Sequence, residues 1–420
     1  MAIGSQRNPL RSTHARGVAW GISDQAVSSA GNLLLTIAAA RAASASGFGA
    51  FTLVLATHYI VLTSARAFVS MPLMMTTARA PEDIKRLAQG SVSVATTIGV
   101  LVGAVCLCFG LIIGGPIGTG FLVYALICPM VLVQDSLRFA LQIIKGPKHT
   151  AINDTIWTCV QVVFFLPFLL HVWSVSAFGY LAIWGLSAGV AALVALLMLQ
   201  IRPVWKIGIR FVREHWSTGS ALLLEGLAAS GGGQLAWYAL ALVASLETVG
   251  HLQAAAVVFG PVNIVMSGVL LVAVPAAVRI ASRSHTALWR ACLGAGAALA
   301  FFALLATIGA SLVPQSVGHA LLGASWVGAS LIIPTGLSFA ATAMTLGAMI
   351  GYRAIGVAIQ TMWLQIWWLP MTALGAVGGY WLYGTPGAAY GMALTSAVFA
   401  ALIWQQLHRR LQKMKPLTAT

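Results

Sequence analysis

The chain has 420 residues, 59% of them hydrophobic and only 7% charged, whereas soluble domains carry about 25% charged residues. That balance excludes an ordinary soluble enzyme or binding domain and leaves a membrane protein. The net charge of +15 does not point to nucleic acid, because the basic residues gather in the joints on one side of a series of apolar stretches.

A bilayer-crossing helix needs about 20 mostly apolar residues. Twelve such windows follow one another, near 18–40, 48–71, 89–113, 119–141, 151–172, 178–200, 218–244, 251–275, 287–313, 326–350, 354–377 and 386–407. Threading the chain through them puts 21 of the 23 Lys and Arg residues on one face, among them Arg7, Arg79, Lys145, Arg202, Arg353 and Lys415; only Arg41 and Arg66 fall elsewhere. The positive-inside rule makes that face the cytoplasmic one and places both termini there. The first window is too long and lacks the small-residue cleavage pattern of a removable signal peptide, so it reads as a retained helix.

The first span carries Asp24 about 10 Å below its cytoplasmic boundary, where an aspartate cannot snorkel. Ser28, Gly31 and Asn32 follow it at helical spacing, forming a polar stripe that must face protein or water. Arg66 lies about five residues before the cytoplasmic end of the antiparallel second span, near the depth of Asp24. Two readings stay open. The residues form an intramembrane ion pair, or Arg66 lines a cleft and binds an anionic group of a substrate while Asp24 orients it.

At the ends of the fourth and fifth spans lie Asp135, Arg138, Lys145, Lys148 and Asp154. They read as an ordinary basic rim in which Asp135 and Arg138 pair along one helix face, with a vestibule for a phosphorylated lipid head as the alternative. The joint "IRPVWKIGIRFVREHW", 201–216, is the lobe boundary, expected to lie as a short amphipathic helix at the head groups. It divides the chain into an N-terminal six-helix lobe, 1–200, and a C-terminal one, 217–420. In the seventh span Glu225 matches Asp24 in depth and the triplet "GGG" at 231–233 invites a bend or a local break. Glu225 is a candidate proton or sodium site, or a neutral hydrogen-bonded acid.

The halves echo one another at an offset of about 200 residues: Asp24 with Glu225, Gly49 with Gly250, Pro72 with Pro275, Pro129 with Pro334 and Pro167 with Pro370. Each half has an even number of spans, so the repeats share one orientation. Pro129, Pro167, Pro261, Pro334 and Pro370 mark bends. Five cysteines lie in apolar spans without disulfide or zinc spacing. The tryptophans Trp20, Trp173, Trp205, Trp216, Trp289, Trp326, Trp381 and Trp404 read as an interfacial belt. No nucleotide loop and no nucleophile beside a base is present, so neither catalytic residues, nor a metal, nor another cofactor is expected.

Several stretches carry a family resemblance. "SAGNLLLTIAAARAASASGFGAF" at 29–51, "VGHLQAAAVVFGPVNIVMSGVLLVAVP" at 249–275, "LLGASWVGASLIIP" at 321–334 and "TPGAAYGMALTSAV" at 385–398 resemble bacterial polysaccharide flippases of the multidrug, oligosaccharidyl-lipid and polysaccharide exporter superfamily. The resemblance implies an all-α polytopic protein with about twelve transmembrane helices in two pseudo-symmetric six-helix lobes around a central cavity. It also implies movement of an undecaprenyl-pyrophosphate-linked oligosaccharide from the inner to the outer leaflet of the bacterial cytoplasmic membrane, coupled to a proton or sodium gradient. A polysaccharide polymerase and the membrane lipids are the accompanying partners; nucleic acid is not. By type and location Arg66, Asp24, Asn32 and Arg138 fit the substrate head group, and Glu225 with Asp24 the coupling ion. The rivals are a drug-cation antiporter of the same superfamily, which Arg66 disfavours, and a structural membrane protein.

Overall fold

The computed structural model describes residues 9–75, 80–170 and 172–414. Arg7, Arg79 and Lys415, counted above on the cytoplasmic face, lie outside them. Helices make up nearly all of this chain, in the order α1 (Pro9–Ala42), α2 (Ala45–Ala65), a π-helical turn (Arg66–Ser70), α3 (Met71–Met74), α4 (Pro81–Ile113), α5 (Gly115–Ile144), α6 (Pro147–Leu169) and α7 (Ala177–Leu199). There follow α8 (Trp205–Val243), α9 (Leu246–Val258), α10 (Gly260–Ala281), α11 (His285–Ser311), α12 (Gln315–Leu322), a 3-10 turn (Gly323–Ser325), α13 (Ala329–Ala354) and α14 (Ala358–Lys413). Among the described residues nine helical stretches are long and apolar enough to cross a membrane, which makes this a multi-pass membrane protein. That tally differs from twelve for identifiable reasons. The polar α1 and α8 are not among the nine, and α14 joins the last two spans across non-helical Tyr383 and Gly384; the eighth span is still counted, through α10. Gly384 has a φ of 61°, a left-handed conformation that glycine adopts without a Cβ clash.

Two compact units form, one from residues 1–35 and 64–223, the other from 36–63 and 224–420. The first has a core of Val69, Leu73, Leu87, Val92, Leu137, Leu141 and Phe211. The second is built around Leu288, Cys292, Tyr352, Ile403, Trp404 and Leu407. The stretch 201–216 is not a separate short helix: after 201–204 the chain enters α8 at Trp205 and continues to Val243 without interruption. Glycines 231–233 lie inside that helix, so the expected break does not occur there; neighbouring helices supply the order that three glycines withhold. A break falls instead at Phe259, just before Gly260 and Pro261, because proline has no N–H to continue the ladder.

Trp326 and Trp404 are buried rather than interfacial. Trp404 Nε1 donates to the Met344 carbonyl at 2.9 Å, satisfying the one polar atom that burial would otherwise strand. Trp20, Trp173, Trp205, Trp216 and Trp381 stay exposed, as a belt requires.

Within the second unit the repeat-related glycines meet. A Cβ on Gly49 would collide with the Leu246 carbonyl, and one on Gly250 with the Ala45 carbonyl. The contact is reciprocal, since 246 and 45 are themselves related by the repeat offset, and only backbones without side chains can cross this closely. Gly250→Leu is therefore expected to lower stability by about 1–3 kcal/mol, read as a lower thermal unfolding midpoint in detergent; an unchanged midpoint would show that the helices can separate here freely.

Candidate functional site

A buried polar cluster in the first unit is assembled by α1, α5, α6 and the π-helical turn. The hairpin explains how. Gly146, with φ of 90°, turns the chain and Pro147 starts α6. Arg138 lies about two turns before this corner and Asp154 about two turns after it, so they arrive at equal depth. Arg138 Nε approaches Asp154 Oδ2 at 3.0 Å, and Arg138 Nη2 donates to Asp24 Oδ2 from the neighbouring α1.

Arg66 is held separately. Its Nη2 donates to Asp135 Oδ1 at 2.6 Å and its Nε contacts both Asp135 oxygens at 3.1 Å. The guanidinium also lies 5.8 Å from the Phe139 ring centroid, within cation–π range. Arg66 opens the π-helical turn, one turn before Pro72, which has no N–H to offer the Phe68 carbonyl. Such a turn inserts a residue and rotates what precedes it.

The expected Asp24–Arg66 pair therefore does not form, and neither does the Asp135–Arg138 pair. Equal depth in the bilayer fixes neither azimuth nor neighbour, and the π turn directs Arg66 toward α5. Of the expected solvated rim, Lys145 and Lys148 stay exposed, but the others do not belong to it: the Asp154 side chain is 1% exposed, that of Asp135 9% and that of Arg138 15%, while Arg66 keeps 36%.

Amides complete the packing. Gln134 Nε2 donates to Asp154 Oδ1 at 3.1 Å and to Asn153 Oδ1 at 3.3 Å, and Asn153 Nδ2 donates to the Ala191 carbonyl at 2.8 Å. Gln134 and Asn153 were missed by sequence reasoning, although an amide beside each acidic position was a visible signal. Asn32 accepts from Trp184 Nε1 at 3.2 Å, and Gln161 Nε2 donates to the Gly31 carbonyl at 2.9 Å, so the polar stripe of α1 is bonded to α6 and α7. Trp184→Phe should remove the bond to Asn32 and destabilise the unit by about 1 kcal/mol, measurable as a small shift in unfolding midpoint.

The charge count is unequal. Among the described residues two guanidiniums face three carboxylates, so the fully ionised cluster carries one surplus negative charge. The buried Asp24 Oδ1 accepts no hydrogen bond among the described residues, and the buried Asp154 Oδ2 meets Arg138 Nε at 3.0 Å without the alignment of a hydrogen bond. One cation taken up by the cluster would balance this charge. In the second unit Glu225 is half-buried and has no hydrogen bond or ion pair among the described residues.

The second unit also encloses a cavity of about 680 Å³ between α8, α9, α10, α13 and α14. Its wall carries amides, hydroxyls, aromatic rings and methionines, and no charged side chain.

No protein-family model matches the sequence, and no curated protein sequence matches it. Solved structures do resemble the fold. A multidrug resistance MATE family transporter of the MOP superfamily, in an inward-facing conformation, superposes with a TM-score of 0.72 at 15% identity, over 94% of this chain and 96% of that one. The outward-facing conformation of a multidrug resistance MATE family transporter of the MOP superfamily gives 0.61 at 15% identity over 95% of each chain. A MOP superfamily transporter from Pyrococcus furiosus gives 0.57 at 14% identity over 97% and 96%. The chain thus shares, along nearly its whole length, the fold of MATE transporters of the MOP superfamily.

Proposed function

We propose that this protein is a cation-coupled transporter working by alternating access, and that its cargo is a polyprenyl-pyrophosphate-linked oligosaccharide moved across the bacterial cytoplasmic membrane. The observation that carries the coupling is the buried cluster of Asp24, Arg138 and Asp154. A structural protein gains little from such a group, since apolar residues of similar volume pack at least as well, whereas ionisable residues inside membrane helices serve ion and proton pathways. Arg138, engaged by two carboxylates, belongs in this reading to the coupling centre rather than to the cargo. Glu225 is a second place for a cation in the other unit.

Arg66 is the residue proposed to meet the anionic head group. Asp135 grips its Nε and Nη2 edge, fixing the plane of the fork while the partly exposed remainder can donate to a phosphate. Asn32, tied to Trp184, is a positioning residue for α1. The sequence resemblance to polysaccharide flippases supports the cargo.

A second reading, a drug-cation antiporter, is favoured by the named structural neighbours. The two separate in one experiment. Deleting the gene should accumulate lipid-linked glycan on the cytoplasmic leaflet, reversed by the native chain and not by an equally abundant Arg66→Ala protein. Unchanged glycan distribution together with new sensitivity to aromatic cations would favour the antiporter.

A further inference from the structure

We infer that the cavity of the second unit is a binding site for an uncharged, polyhydroxylated ligand, a glycan of a few linked rings. This rests on the flippase reading and adds to it a place for the sugars, separate from the Arg66 site for the anionic head.

Three observations carry it. The volume of about 680 Å³ falls within the roughly 300–1,000 Å³ of sites that enclose ligands of such size. The hydroxyls of Ser338, Thr342, Thr345 and Ser396 already bond to one another or to helix carbonyls, but the side-chain amides on the wall are unspent. The side-chain amides of Gln234 and Asn263 make no hydrogen bond among the described residues, and Gln365 Nε2 reaches only the Met349 sulfur, at 3.4 Å, a weak acceptor. Side-chain amides offer both donors and an acceptor, which is what adjacent sugar hydroxyls require. Finally, Trp237 and Trp368 stand on the same wall with indole N–H groups that have no partner among the described residues. An indole face accepts the C–H side of a sugar ring while its N–H bonds a hydroxyl.

The absence of charge selects among ligands. An organic cation bound in a low-dielectric cavity calls for a carboxylate, and an anion for a guanidinium; this wall has neither, and Glu225 is not part of it.

The glycine triplet gives the cavity its room. Gly231 and Gly232 lie against Leu369, whereas a Cβ on Gly233 would meet nothing within 4 Å. A side chain at 233 therefore projects into open cavity without striking protein. Gly233→Leu should fold as well as the native chain, since leucine is the better helix former, and should occupy the ligand's space.

The test uses the full chain in lipid nanodiscs and calorimetric titration with a panel of neutral oligosaccharides of two to four rings, with an aromatic cation as comparison. The expected result is binding of at least one neutral glycan, weakened about fivefold by Gln365→Ala and about 10- to 200-fold by Gly233→Leu, with unfolding midpoints unchanged. Binding of the aromatic cation alone, lost in Gly233→Leu, would overturn the assignment in favour of a drug site, and so would a panel that binds nothing. In cells, Gly233→Leu should block glycan translocation. Full translocation by Gly233→Leu would overturn the cavity assignment while leaving the flippase reading intact. A deletion strain with normal glycan distribution would remove the flippase reading and leave the cavity to the titration.

Discussion

Replacing Arg138 with alanine is expected to destabilise the protein by about 3–5 kcal/mol. The guanidinium is the shared partner of Asp24 and Asp154, from α1 and α6. Removing it leaves two buried carboxylates beside each other with no counter-charge, on helices that it otherwise ties to α5. The decisive control is the triple variant Asp24→Asn, Arg138→Gln, Asp154→Asn. The two asparagines are isosteric with the aspartates, the glutamine keeps most of the arginine's stem, and the three can hydrogen-bond without net charge, so the variant should recover most of the lost unfolding midpoint. Recovery would show that uncompensated charge causes the loss in Arg138→Ala; equal instability of both variants would assign it to lost packing instead.

Asp154→Asn should separate stability from transport. With this change two guanidiniums face two carboxylates, Arg66 with Asp135 and Arg138 with Asp24, and the surplus charge is gone. The variant is expected to be as stable as the native chain or more so. Transport should nevertheless lose its response to a proton gradient, because the cluster can no longer exchange a proton while staying balanced. The coupling free energy between such sites corresponds to about 5- to 150-fold in affinity, so the native chain should bind its cargo that much more tightly with the cation in place than without it, and Asp154→Asn should show no such difference. A variant that is both unstable and inactive would mean that Asp154 is needed for packing and would remove the argument from charge balance.

Much of the architecture is legible in the sequence because lipid imposes simple rules. Apolar length gives the spans, and the basic joints bracket them. Pro129, Pro167, Pro334 and Pro370 lie within helices, as their positions in the windows imply. The Gly49 and Gly250 match, one weak coincidence among several, turns out to mark a real crossing of backbones. Side-chain partners were not legible in the same way. Depth along a helix can be counted, but its rotation about its own axis is set by packing, and a π turn after Ala65 changes that rotation with no signature beyond Pro72. Asp154 illustrates a second limit. It stands near a basic joint and reads as solvated rim, yet α5 and α6 fold against each other so that a residue two turns past Gly146 faces inward. The glycine triplet shows the reverse error: an intrinsic weakness that a packed helix absorbs, its consequence being empty space rather than a break.

The central claim, coupling of lipid-linked glycan movement to the Asp24–Arg138–Asp154 cluster, is tested most directly in reconstituted vesicles. A polyprenyl-pyrophosphate-linked oligosaccharide is placed in the leaflet corresponding to the cytoplasmic side, a proton gradient is imposed, and arrival in the opposite leaflet is timed with a membrane-impermeant lectin. The native chain is expected to move the lipid faster with the gradient than without it, and Asp154→Asn to show no difference between the two conditions. Equal acceleration of both proteins by the gradient would contradict the account.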